Sequence, residues 1–80
     1  MNRPDPLADA VRAAWEAHAA TLSTRDIMAM ERAFLVVLIA ERALAVDCLA
    51  SCTQPGARAS YEAEIASYDA QIDDSQRRIR

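Results

Sequence analysis

The side chains able to do chemistry are few. Cys48 and Cys52 stand four residues apart, a spacing that puts both thiols on one face of a helix. Thiolates bind soft metals and exchange disulfides, but a tetrahedral site asks for four donors. The one histidine, His18, belongs to a different segment. A single CX3C pair without further ligands reads as two small hydrophobes. A metal or redox module using Cys48 and Cys52 is therefore the third functional reading, and no metal or cofactor is expected. His18 follows Trp15 by three residues with no serine or cysteine motif around it. General-base work needs a nucleophile within reach, so His18 reads as a histidine at the core edge.

The carboxylates say more. Glu41 lies seven residues from both Phe34 and Cys48, on what periodicity makes a buried stripe. A buried acid needs a partner, here a tyrosine hydroxyl or an arginine, and the expected role is a polar contact that sets helix register. Glu62, Asp69 and Asp73 line one side of the last segment, with Glu64 and Asp74 beside them. Such a row either faces solvent or presents negative charge to a basic groove of a partner. With Gly56 the only glycine, no phosphate-binding loop exists. The chain is expected not to be an enzyme.

Three helices must position these groups. The first is expected over about 6–20, opened by Asp5 as N-cap with Pro6 in the first turn. Leu7, Val11, Ala14, Trp15, His18 and Leu22 form its apolar stripe. The second is expected over about 24–52. Ser23 as N-cap with Asp26 at N3 resembles a capping box, and Leu22 with Ile27 a hydrophobic staple. No breaker then appears before Pro55-Gly56. Ile27, Met30, Phe34, Val37, Leu38, Ala45, Cys48 and Cys52 share one stripe, and Met28, Leu35, Ile39 and Val46 a second beside it. A helix this apolar around its circumference belongs at the centre of an assembly.

The third helix is expected over about 57–79. Tyr61, Ile65, Tyr68, Ile72, Ser75 and Ile79 repeat alternately at 4 and 3, a heptad seam for antiparallel packing on helix two. Arg77, Arg78 and Arg80 complement its C-terminal dipole. The expected fold is all-α in one small domain, a long helical hairpin of helices two and three with the shorter helix one folded against it. Helix three would cover one stripe of helix two and helix one half of the other, leaving Val46 and Leu49 uncovered.

Composition bounds the function. Eighteen of 80 residues are alanine, and large apolar side chains are scarce. Nine arginines, no lysine and twelve acids give a net charge of −3, which disfavours direct nucleic-acid binding. The longest strongly apolar run, 33–40, is far below the roughly 20 residues of a membrane span. The opening residues carry no apolar signal-peptide core, so a cytoplasmic location is expected. A small chain with surplus apolar helix surface is completed by a partner. The first functional reading is a stoichiometric binder of a larger protein, extending to a nucleic-acid-handling host complex. Virus-encoded inhibitors of host defence such as anti-CRISPR proteins are similar in size and acidic helical composition. The alternative is a homo-oligomeric bundle, in the simplest case a dimer, acting as a structural or adaptor subunit.

Overall fold

A computed structural model describes residues 5–79. It contains α1 (Pro6–Thr21), α2 (Ile27–Ser51) and α3 (Pro55–Ile79) in that order, and no strand among the described residues. Asp5 caps α1 as the sequence indicates, its Oδ1 accepting from the backbone N–H groups of Leu7 and Ala8 at 3.0 and 3.2 Å. Thus α1 opens with its orphan donors satisfied.

The start of α2 differs from expectation. Asp26, not Ser23, is the N-cap, and its carboxylate accepts from the Ala29 N–H at 3.1 Å. Ser23 instead donates its hydroxyl to the Ala20 carbonyl, and Arg25 closes the turn with φ 58°. An aspartate three residues before the N–H that donates to it is itself a favoured cap, so helix begins later than a Ser23 box requires. The staple is lost with it. Leu22 and Ile27 are 57% and 73% exposed.

The α2–α3 break also shifts. It is Cys52–Gln54, while Pro55 and Gly56 form the first turn of α3. The residue before a proline disfavours helix, and proline fits the first helical position because its missing N–H would be orphaned anyway. Arg58 crosses the break, donating Nη1 to the carbonyls of Leu49 and Cys52 at 3.1 and 2.8 Å. The Cys52 carbonyl is satisfied that way, and the Leu49 carbonyl, which already accepts from the Cys52 N–H at 3.2 Å, gains a second donor.

Both outer helices pack on α2, and they make no backbone approach to each other. Three helices side by side form a slab with principal extents of 43 × 33 × 14 Å. Its thickness is that of one helix layer. The radius of gyration is 14.3 Å, against about 12 Å for a compact domain of this length. The fully buried set is correspondingly thin: Ala14 of α1, Val37, Leu38 and Ala45 of α2, and Ser75 of α3. Ser75 is wholly buried, and its hydroxyl has no hydrogen-bond partner. A small residue at this point of the α3 seam fits close helix approach.

Candidate functional site

A slab one helix thick leaves its central helix two open faces. Rotating α2 by about 100° per residue puts Phe34, Glu41 and Cys48 on one, called the front. Met28, Val36, Ile39, Ala43, Val46 and Ala50 lie on the other, the back.

The front is a polar-aromatic groove between α1 and α3. Trp15 donates its indole Nε1–H to Glu41 Oε1 at 2.8 Å. Trp15, His18 and Phe34 meet edge-on or tilted, with ring centroids 5.6–6.5 Å apart, within the range of favourable aromatic pairs. From α3, Tyr68 reaches the same carboxylate. Burial first, then the hydrogen bond to Glu41 and its negative charge, raise the Tyr68 pKa above 10.0. Glu41 thus joins α1 to α2 by a hydrogen bond and lies beside Tyr68 of α3 on one cavity. Its α1 partner is an indole N–H, which neither expected partner type includes.

Two open cavities lie along this groove. One of about 300 Å³ is lined by His18, Ile27, Met30, Glu31, Phe34 and Arg78, and the Arg78–Glu31 ion pair sits at its edge. The other, about 210 Å³, includes Val11, Glu41, Cys48, Tyr61, Glu64 and Tyr68. Cys48, its neighbour in this cavity, is the main cause that raises the Tyr61 pKa. Both cysteines are free thiols, and Cys52, at the C-cap of α2, contacts the Gln54 carbonyl at 3.8 Å. His18 and Cys48 line different cavities. Among the described residues no three His, Cys, Asp or Glu side chains come together as a metal cage.

The back of α2 has no cover among the described residues. Val36 is 54% exposed, Ile39 48%, Val46 41% and Met28 36%, and these span α2 from its first turn to its last. Leu49 is half-buried, and its carbonyl is held by Arg58. The second stripe was expected to receive α1. Instead α1 docks through Trp15 and His18 against Phe34, which belongs to the main stripe. Aromatic edges and the Trp15–Glu41 hydrogen bond favour that side over a row of aliphatic side chains. Met28, Ile39 and Val46 stay bare as a result.

The acids of α3 are mostly neutralised within the chain. Asp69 is paired with Arg42 of α2, Asp73 with Arg77 at 2.8 Å, and Asp74 with Arg78. Glu62 and Glu64 are exposed and engaged by no ion pair among the described residues. Arg77 and Arg78 each bridge a carboxylate one turn earlier, and Arg80 lies outside the described residues.

Two residues passed over in the sequence now stand out, Arg32 and Asp47. Both are exposed, Arg32 within the back face and Asp47 at its edge, and neither takes part in an ion pair among the described residues. Their signal was available as opposite charges on the helix with the most apolar circumference. No helix is long and apolar enough to cross a membrane among the described residues. In comparisons with known proteins, no family model, no curated protein and no solved structure matches the chain.

Proposed function

We propose that this chain is a non-enzymatic protein-interaction module that works by laying the back of α2 on another protein surface. The observation that carries the reading is the bare stripe Met28–Val36–Ile39–Val46, open along the whole central helix. Contiguous exposed apolar surface on a small protein marks an interaction site. A single-layer slab gains a second layer when that surface is covered.

The stoichiometric inhibition of a larger, nucleic-acid-handling host complex is one use of such a surface. In that use Glu62 and Glu64, the α3 carboxylates left without an arginine, would meet basic side chains of the partner. Size and net charge of −3 support this finer form. The cavity beside Cys48 and Tyr61 brings one thiol near Glu41 and Glu64, but no metal cage of three such side chains forms among the described residues, so the metal or redox reading has the weaker support.

The test is a pair of substitutions on the back face, Val46→Asp and Ile39→Asp, with Glu16→Gln, exposed on α1, as control. Both back-face changes are expected to abolish association, with itself or with an isolated partner, while circular dichroism stays helical. Association that survives both back-face changes contradicts the proposal.

A further inference from the structure

We propose that the surface covering the back of α2 is a second copy of this chain, with the two α2 helices antiparallel about Ile39. The proposal rests on the interaction-module reading and adds the identity and orientation of the partner.

Area comes first. The chain exposes 5749 Å², whereas a compact monomer of 8.8 kDa exposes roughly 4,800 Å². The excess is on the order of 1,000 Å², comparable with the about 800 Å² per partner of a standard stable interface. The 43 × 33 Å broad face is large enough to supply it. Covering the back face converts one helix layer into two and brings the chain to an ordinary surface for its mass.

Self-complementarity decides the partner. Ile39 is the midpoint of α2, which runs Ile27–Ser51. A two-fold axis there pairs a residue before Ile39 with one equally far beyond it, as an isologous interface requires. Met28 then faces Ala50, Leu35 faces Ala43, and Arg32 faces Val46 with Asp47 next to it. Large meets small in the first two pairs. In the third, each Arg32 lays its aliphatic stem along Val46 and its guanidinium beside the Asp47 carboxylate of the other copy. Both ends of the interface therefore carry an ion pair. A parallel arrangement would set Arg32 against Arg32 and Asp47 against Asp47, which is repulsive. Antiparallel packing also places the two α3 helices on one side of the dimer. There Asp69 and Asp73 are already neutralised by Arg42 and Arg77, so their approach adds little bare charge.

Sedimentation equilibrium on the purified full chain is the experiment. The expected mass is twice 8.8 kDa. Arg32→Asp and Asp47→Arg are each expected to weaken the dimer by on the order of tenfold or more, and the two together to restore it. Orientation is read by disulfide trapping after Cys48→Ala and Cys52→Ala. Ile39→Cys is expected to cross-link under mild oxidation. Val46→Cys is not, because its two copies lie about 20 Å apart at 1.5 Å rise per residue. Cross-linking of Val46→Cys as fast as Ile39→Cys, or no restoration in the double charge reversal, overturns the antiparallel pairing. A chain that sediments as a monomer at about 100 μM overturns the second copy altogether. If such a monomer holds a different protein and Val46→Asp releases it, the interaction-module reading stands without this inference. If Val46→Asp changes no association, both fall.

Discussion

Trp15 on α1 and Glu41 in the middle of α2 are joined across 26 positions of sequence by a 2.8 Å indole-to-carboxylate hydrogen bond. Apart from aromatic edges, it is the polar link that fixes α1 against the front of α2 and so leaves the back bare. Removing the carboxylate with Glu41→Ala should cost about 1–2 kcal/mol, a charge-assisted bond at a partly exposed site. Glu41→Gln keeps an acceptor oxygen and should cost less. Trp15 is the only tryptophan, so its fluorescence reports the contact. A red shift is expected in the alanine variant and little change in the glutamine variant.

The cap of α2 gives a second prediction. Asp26→Ala should destabilise the fold by about 1 kcal/mol, the usual cost of losing an N-cap. Ser23→Ala should stay within roughly 0.5 kcal/mol, as for a surface site. Urea titration followed by circular dichroism separates the two. Equal losses would return the cap to Ser23.

Two substitutions should stabilise. Gly56 sits in the first turn of α3 with no positive φ, and an added Cβ meets nothing within 4 Å. Gly56→Ala should therefore gain roughly 0.4–1 kcal/mol by restricting the unfolded chain. Ser75→Ala removes a buried hydroxyl that has no partner, sparing a desolvation cost of about 1–3 kcal/mol against a small loss of packing. Thermal melting should place both variants above wild type. A lower midpoint for Ser75→Ala would show that its hydroxyl is bonded.

The alkaline limb of stability belongs in part to Tyr68. Its pKa is raised in the folded state through burial and Glu41, so the fold holds this proton more tightly than the unfolded chain does. The contribution is complete below the unfolded value of 10.0 and is lost as pH rises from there through the raised folded value. Melts in buffers between about pH 8 and pH 11 should fall more steeply for wild type than for Tyr68→Phe. Parallel curves would remove Tyr68 from the account.

Much of the architecture could be read from residue spacing, and the failures share a cause. The apolar circumference of α2 identified it as central, and the heptad from Tyr61 to Ile79 identified α3 as its antiparallel neighbour. Both signals are periodic and long, so local competition does not erase them. The Ser23 cap and the Pro55-Gly56 turn are each displaced by two or three residues, and the Leu22–Ile27 staple is lost with the cap. At such sites neighbouring residues of similar cap or turn preference, Ser23 and Asp26 above all, compete locally. The side on which α1 docks was harder to read, because it depends on Trp15 finding Glu41 from another helix. The acids at 69, 73 and 74 looked like a face in sequence, and only three dimensions bring Arg42 to Asp69. Arg32 and Asp47 gain their interest from the bare stripe between them, which periodicity alone does not expose.

If the back of α2 is the working surface proposed above, it is covered in the associated protein and open in the isolated chain. Met28 lies on that face and is 36% exposed, and its thioether is oxidised by peroxide at a rate set by solvent access. Mass-spectrometric oxidation rates of Met28, in associated wild type and in monomeric Val46→Asp, measure the covering directly. The expected result is slow oxidation of Met28 in the wild type and fast oxidation in the variant, with Met30 on the other side of α2 changing little. Equal rates at Met28 in the two proteins would contradict the account.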